Sequence, residues 1–415
     1  MNNGEKSIVD FRKSFLQLLS ANTVAQFIPV LALFFIGRNY SPSEIAQFSS
    51  FVAFASIFGV ISIGRVDVIL PIIKDEEEAK NIFTSGFLIL IATSMFSCIA
   101  IFFVDFPFSY YLPLAIFGIG INALLCSLAI RKKAIKLLAL NKIVMVLINS
   151  LIAITLGFLS YSVEALIWAW LLSFYFSSLV FMALVYRKGL LKSKLPSEVL
   201  KRIYHKYKQK LGYSTLHALA DVFFGQYLLF VVITFYYGEE QLGLFAFMIK
   251  YVKAPMVLVS SAISPLFLSE SASLLREGKT ITGVYTRTIK SSLFFAVPFC
   301  LVLLFLAPWL FEIWCGPQWR EAGVMAQYLV PTLLLSFVYS PVSVLPILLE
   351  KFAFNFYICT ITLLCIILIF IGGDFLQLTM LNVLILYNFV YIAFYLVMFV
   401  WGRRALRANV PIKLD

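Results

Sequence analysis

Chemistry in this chain has to come from a few polar residues set inside long apolar runs. Arg65 and Asp67 lie towards one end of Ile45–Ile73, a stretch that is otherwise almost wholly apolar. Lys250 and Lys253 sit in LGLFAFMIKYVKAPMVLVSSAIS, His217, Asp221 and Gln226 in the run before it, and Asn22 and Gln26 in the first run. Ionisable groups are costly in hydrocarbon and mark substrate or ion pathways when they occur there. The cations Arg65, Lys250 and Lys253 suit a phosphate or diphosphate head whose lipid tail stays in the bilayer. Desolvated Asp221 or Asp67 could exchange a proton or hold a sodium ion, so H+ or Na+ is the expected coupling ion. No HExxH, G-x-S-x-G, Walker or Rossmann pattern is present, and no extramembrane loop is large enough for a catalytic domain, so the chain reads as no enzyme. The two histidines, His205 and His217, have no cysteine or histidine at ligand spacing, and no metal or other cofactor is expected.

Helical geometry sets what these residues can do together. A helix over Ile45–Ile73 would be about 43 Å long, against roughly 30 Å of hydrocarbon. On it Arg65 and Asp67, two apart, would point about 200° away from each other, so each would need a partner from elsewhere. Arg65 then fits the substrate-facing role better, and Asp67 the bracing of a neighbouring helix. Lys250 and Lys253, three apart, share a face about 12 and 17 Å below Leu242, near mid-bilayer. Asp221 lies at a similar depth from the cytoplasmic side and could compensate a lysine. The alternative reading of Arg65 is an interfacial anchor, while Asn22, Gln26 and Gln226 read first as hydrogen-bond glue between helices.

The elements that position these groups are membrane spans. The chain is 61% hydrophobic and 13% charged, and apolar runs of membrane length recur along it. Twelve helices are expected, near 14–37, 44–73, 82–104, 110–130, 137–158, 164–186, 212–237, 241–269, 291–311, 324–349, 353–372 and 376–401. They make an all-α, polytopic protein of two six-helix lobes: 1–186, a basic cytoplasmic linker at 187–211, and 212–415. The net charge of +12 sits between spans rather than in a nucleic-acid-binding patch. Of 33 lysines and arginines, only Arg38 and Arg320 fall on the opposite side, which puts both termini in the cytoplasm. The linker suits a surface helix against anionic lipid. Five of the six cysteines fall in apolar runs and Cys315 in a loop, with no metal or redox spacing. The halves echo each other: RNYSPSEIAQFSSF leads the second span and YYGEEQLGLFAFMI the eighth, with Pro71 and Pro265 near the far ends. Parallel repeats of this kind commonly hold a site between them.

Arg65-Val66-Asp67 followed by LPII and Lys74-Asp75-Glu76-Glu77-Glu78-Ala79 resembles the end of the second span in bacterial polysaccharide flippases of the Wzx type. These belong to the multidrug/oligosaccharidyl-lipid/polysaccharide (MOP) exporter superfamily. Lys250, Pro255 and Ser261-Ala262-Ile263-Ser264 resemble that family's eighth span, and RKKAIKLLALNKI its segment after the fourth. Val66 in place of an aromatic, an early Pro71 and the extra Lys253 depart from the pattern. The resemblance implies a MATE-like bundle of two lobes in the bacterial inner membrane. It would move an undecaprenyl-pyrophosphate-linked repeat unit to the periplasmic leaflet for O-antigen or capsule assembly, by alternating access around a cationic cavity. A polysaccharide polymerase and a chain-length regulator are the implied partners, with membrane lipids and no nucleic acid. A cation-coupled multidrug exporter is the alternative within transport, and a membrane polysaccharide polymerase the alternative among enzymes; polymerases carry large periplasmic loops that this chain lacks.

The charge asymmetry makes a direct prediction. A fluorescent protein fused after Asp415 should fluoresce, and alkaline phosphatase fused there should be inactive. Active phosphatase would overturn the orientation.

Overall fold

The computed structural model describes residues 27–73, 75–103, 106–160, 162–181, 215–216, 218–349 and 351–407. These residues are almost entirely helical, with no strand among them. Among the described residues nine helices are long and apolar enough to cross a membrane, and a pair bent by 64°, Pro317–Tyr328 with Val330–Val342, would make a tenth, so the expected count of twelve is not reached there. Two shorter apolar helices, Phe27–Asn39 and Val163–Leu179, occupy the places of the first and sixth expected spans. The fold is therefore the all-α membrane bundle that composition implied. The linker at 187–211 lies outside the described residues, as do Asn22, Gln26 and His217.

The helices group into two units. The first takes in residues to Ala32 and Gln47–Tyr227, the second Leu33–Ala46 and residues from Leu228 onward. The division thus falls within the seventh span, Ala218–Tyr237, where Phe223–Leu228 is wound as π-helix. The elbow between the first two spans belongs to the second unit, not to the first as the lobe boundaries implied. There Ser41 and Glu44 form a capping box, with Ser41 N donating to Glu44 Oε2 at 2.8 Å and Glu44 N to Ser41 Oγ at 3.3 Å. Trp319 Nε1 donates to the Gly37 carbonyl at 2.6 Å. Gly243 is required where Pro42 crosses it: a Cβ there would lie 1.8 Å from the Pro42 carbonyl oxygen.

The largest departure from expectation is in the second span. It is not one helix over 44–73. Pro42–Ile61 ends, Ser62–Arg65 form a turn, and Val66–Ile69 with Leu70–Ile72 resume as short helical turns. Gly64 and Arg65 both lie in the left-handed region, at φ 58° and 59°. Glycine takes this conformation freely; an arginine does so at a cost of about 1–2 kcal/mol. The interrupted backbone keeps some hydrogen bonds in turn form: Gly64 N donates to Ile61 O at 3.0 Å and Val66 N to Ile63 O at 3.2 Å. Thr93 Oγ1, from Glu76–Ala100, donates to the Ser62 carbonyl at 3.0 Å. Irregular backbone at membrane depth is tolerated where the protein satisfies it in this way. Below the turn, Val66, Ile69, Leu70 and Ile73 enter a core with Phe83, Leu124 and Leu128 that fixes where the short segment sits.

Motifs far apart in sequence meet beneath that core. Asp75 caps Glu76–Ala100 by accepting from Glu78 N at 2.7 Å, and Arg131 donates to the Asp75 carbonyl at 3.0 Å. Lys132 pairs with Glu76, so the acidic run after the second span and the basic run after the fourth form one cluster. In the second unit no matching break occurs: Glu239–Arg276 runs unbroken for 38 residues through Pro255 and Pro265. Its counterpart distortion is the bent tenth span, where Pro331 removes a donor. Asn388 bridges that bend, donating to Tyr328 O at 2.6 Å and accepting from Thr332 Oγ1 at 2.6 Å. Cys315 is not in a loop but is the buried last residue of Thr282–Cys315.

The break predicts a sensitive glycine. Gly64→Ala would place a Cβ 3.0 Å from Ile89 Cδ1 in a left-handed residue. A loss of about 1–2 kcal/mol is expected in unfolding of the purified protein; unchanged stability would mean the span is continuous in solution.

Candidate functional site

The turn at Ser62–Arg65 changes what Arg65 and Asp67 can do. On a continuous helix they would diverge; with Gly64 and Arg65 left-handed, the guanidinium swings back over the following turn. Arg65 Nη2 lies 3.7 Å from Asp67 Oδ2, with side chains 17% and 31% exposed. The expectation that the two could not satisfy each other is therefore wrong, and its error was the assumption of helix through residue 73. Both side chains line the same space. Within the carboxylate, Oδ1 is buried and has no hydrogen-bond partner among the described residues.

That space is a cavity of about 360 Å³ within the first unit. Its floor is the face of Pro42–Ile61 that carries Ser56, Gly59 and Val60, followed by Ile63. Trp170 and Phe174, four apart on Val163–Leu179 and so on one face, also line the cavity. Trp170 is held edge-on by Phe51 at 6.1 Å and Phe174 at 5.1 Å. Ser56 Oγ donates to Val52 O at 2.6 Å, which leaves its oxygen free to accept. Sequence reasoning found the charged pair but missed Trp170, Phe174 and Ser56. The only available signal was spacing, and small or aromatic residues at helical spacing are commonplace in membrane spans.

In the second unit Lys250 and Lys253 are exposed side chains on Glu239–Arg276, between buried Tyr251, Val252 and Ala254. Val257 continues the exposed face at the next turn, so the lysines head one stripe, as their spacing required. Lys250 Nζ lies 5.6 Å from the centroid of the Tyr251 ring, within reach of a cation–π contact. No ion pair involving either lysine occurs among the described residues. Asp221 and Gln226 are exposed on the seventh span, in the first unit. The structure thus groups Arg65 with Asp67 and Lys250 with Lys253, each pair within its own unit. No cluster of three metal-ligating side chains occurs among the described residues, and all six cysteines are free.

The fold is similar to those of several solved membrane proteins. The lipid II flippase MurJ in an inward closed conformation matches with a TM-score of 0.70 at 16% identity, over 94% of this chain and 87% of that one. An inward-facing multidrug resistance MATE family transporter matches at 0.64 and 16% identity, over 96% and 99%. A MOP superfamily transporter from Pyrococcus furiosus matches at 0.57 and 15% identity, over 96% of each chain. These identities speak to fold alone. No curated protein matches the sequence. The family profile described as "Polysaccharide biosynthesis protein" matches residues 41–324, a stretch that contains the broken second span and the lysine-bearing eighth. On that match, the chain belongs to the polysaccharide biosynthesis protein family.

Proposed function

We propose that this protein is a flippase for lipid-linked oligosaccharides. It carries undecaprenyl-pyrophosphate-linked repeat units from the cytoplasmic to the periplasmic leaflet of the bacterial inner membrane, with both termini cytoplasmic, by alternating access. The observation that supports this most is the pair of exposed lysines on one face of a membrane-length helix, in a chain of a polysaccharide biosynthesis family. Two ammonium groups with no ion-pair partner among the described residues are expensive in an apolar helix unless an anion meets them, and a diphosphate carries the charge to do so. One of the similar folds belongs to a protein described as a lipid II flippase. Asp221, exposed on the seventh span, is the acid best placed to exchange H+ or Na+ with solvent during the cycle. A polymerase and a chain-length regulator would take the delivered units onward to O-antigen or capsule.

Export of cationic drugs is the rival reading, and the cavity acid Asp67 is what favours it. Its charge, however, is met by Arg65 at 3.7 Å, and Lys250 and Lys253 would repel such cargo. In a strain lacking this protein, single lipid-linked units should accumulate on the cytoplasmic leaflet. Plasmid-borne Lys250→Ala or Arg65→Ala, expressed at normal level, should restore surface polysaccharide poorly, at least about tenfold below the unaltered protein. Full restoration by both variants would remove the cation role, and accumulation on the periplasmic leaflet would point to a polymerase instead.

A further inference from the structure

The cavity under the helix break is chemically unlike a diphosphate site. Arg65 and Asp67 are the only charged groups that line it among the described residues, and they lie 3.7 Å apart. A dianionic group brought against the guanidinium would also lie beside the carboxylate, and the two Coulomb terms largely cancel. The rest of the wall is one hydroxyl, two aromatic rings and aliphatic surface. A site of this kind is neutral overall, yet offers both a charged donor and a charged acceptor at one edge of an apolar face.

A pyranose ring has the complementary surface. Its C–H face is apolar and flat, while its hydroxyls radiate around the rim as donors and acceptors. Trp170 supplies a plane that Phe51 and Phe174 already hold in place, so little side-chain entropy is lost on contact. Asp67 Oδ1, buried without a hydrogen-bond partner among the described residues, is an acceptor in want of a hydroxyl. Arg65 beside it is a donor array that can serve the neighbouring hydroxyl. The volume of about 360 Å³ lies at the small end of ligand clefts, and it would hold a sugar and no polyprenyl tail. We infer that this cavity is a sugar subsite, in which a neutral hexose of the cargo stacks on Trp170 and hydrogen-bonds to Asp67 and Arg65. The inference rests on the flippase reading and divides its labour: the first unit reads the glycan, and Lys250 and Lys253 of the second meet the diphosphate. Arg65 thereby changes role, from phosphate ligand to sugar ligand.

Native mass spectrometry of the purified full-length protein can separate these contributions with two probes. One is undecaprenyl diphosphate, the other the same lipid carrying N-acetylglucosamine. The unaltered protein should bind the sugar-bearing lipid about three- to tenfold more tightly, the worth of one good aromatic stack. Trp170→Leu should abolish that difference without weakening the sugar-free lipid, and Trp170→Phe should keep part of it. The double variant Lys250→Gln, Lys253→Gln should weaken both lipids alike. If Trp170→Leu fails to fold, Asp67→Asn and Trp170→Phe provide the same comparison. Equal binding of the two lipids by the unaltered protein, or equal loss of both in the Trp170 variants, would overturn the sugar subsite and leave the flippase reading standing. Unchanged binding of both lipids to the lysine variant would instead remove the diphosphate role of the second unit.

Discussion

A charged group in an apolar bundle must be met by another group, and in the first unit that requirement is answered by bending the chain. Arg65 and Asp67 face each other because Gly64 and Arg65 turn left-handed between two helical segments. The conformation costs about 1–2 kcal/mol at Arg65 and gives up regular helical hydrogen bonding across Ser62–Arg65. Thr93 recovers one carbonyl, and the apolar core under Val66–Ile73 pins the short segment in place. Backbone strain of this sort persists where the surroundings over-determine it, and it tends to occur at binding sites and switches. Here it opens a cavity with a charged pair at its edge and an aromatic plane on its wall.

The second unit meets the same kind of constraint differently. Its long helix Glu239–Arg276 stays intact and leaves Lys250 and Lys253 exposed, while irregular backbone appears in the bent tenth span under the bridge of Asn388. The two units therefore diverge in chemistry: a self-compensated pair in one, two like charges in the other. Cargo that is part neutral glycan and part diphosphate would use such a difference.

Class and the all-α membrane fold were legible in the sequence because the hydrophobic effect acts on composition and run length, which need no tertiary detail. The shared face of Lys250 and Lys253 was legible for a similar reason, since an unbroken helix converts spacing into direction. The relation of Arg65 to Asp67 was not. In ISIGRVD only Gly64 signals a break, and single glycines are common in intact membrane helices. The left-handed arginine arises from packing against helices distant in sequence. Trp170, Phe174 and Ser56 were hidden because apolar and aromatic residues fill every span, and nothing local distinguishes a cavity wall from a lipid-facing or core position. The capture of the elbow Leu33–Ala46 by the second unit was equally invisible, since it depends on where Gly37 and Pro42 meet Trp319 and Gly243.

The account turns on Arg65 and Asp67 acting as one coupled pair. A double-mutant cycle on the purified protein tests this directly, with unfolding free energies measured for Arg65→Ala, Asp67→Ala and the combination. Each single variant strands a charge in an apolar site, so the combined loss should be smaller than the sum of the two. A coupling of about 0.5–3 kcal/mol is expected. Strictly additive losses would mean that the two side chains do not interact, and would return the second span to a continuous helix with its charges on opposite faces.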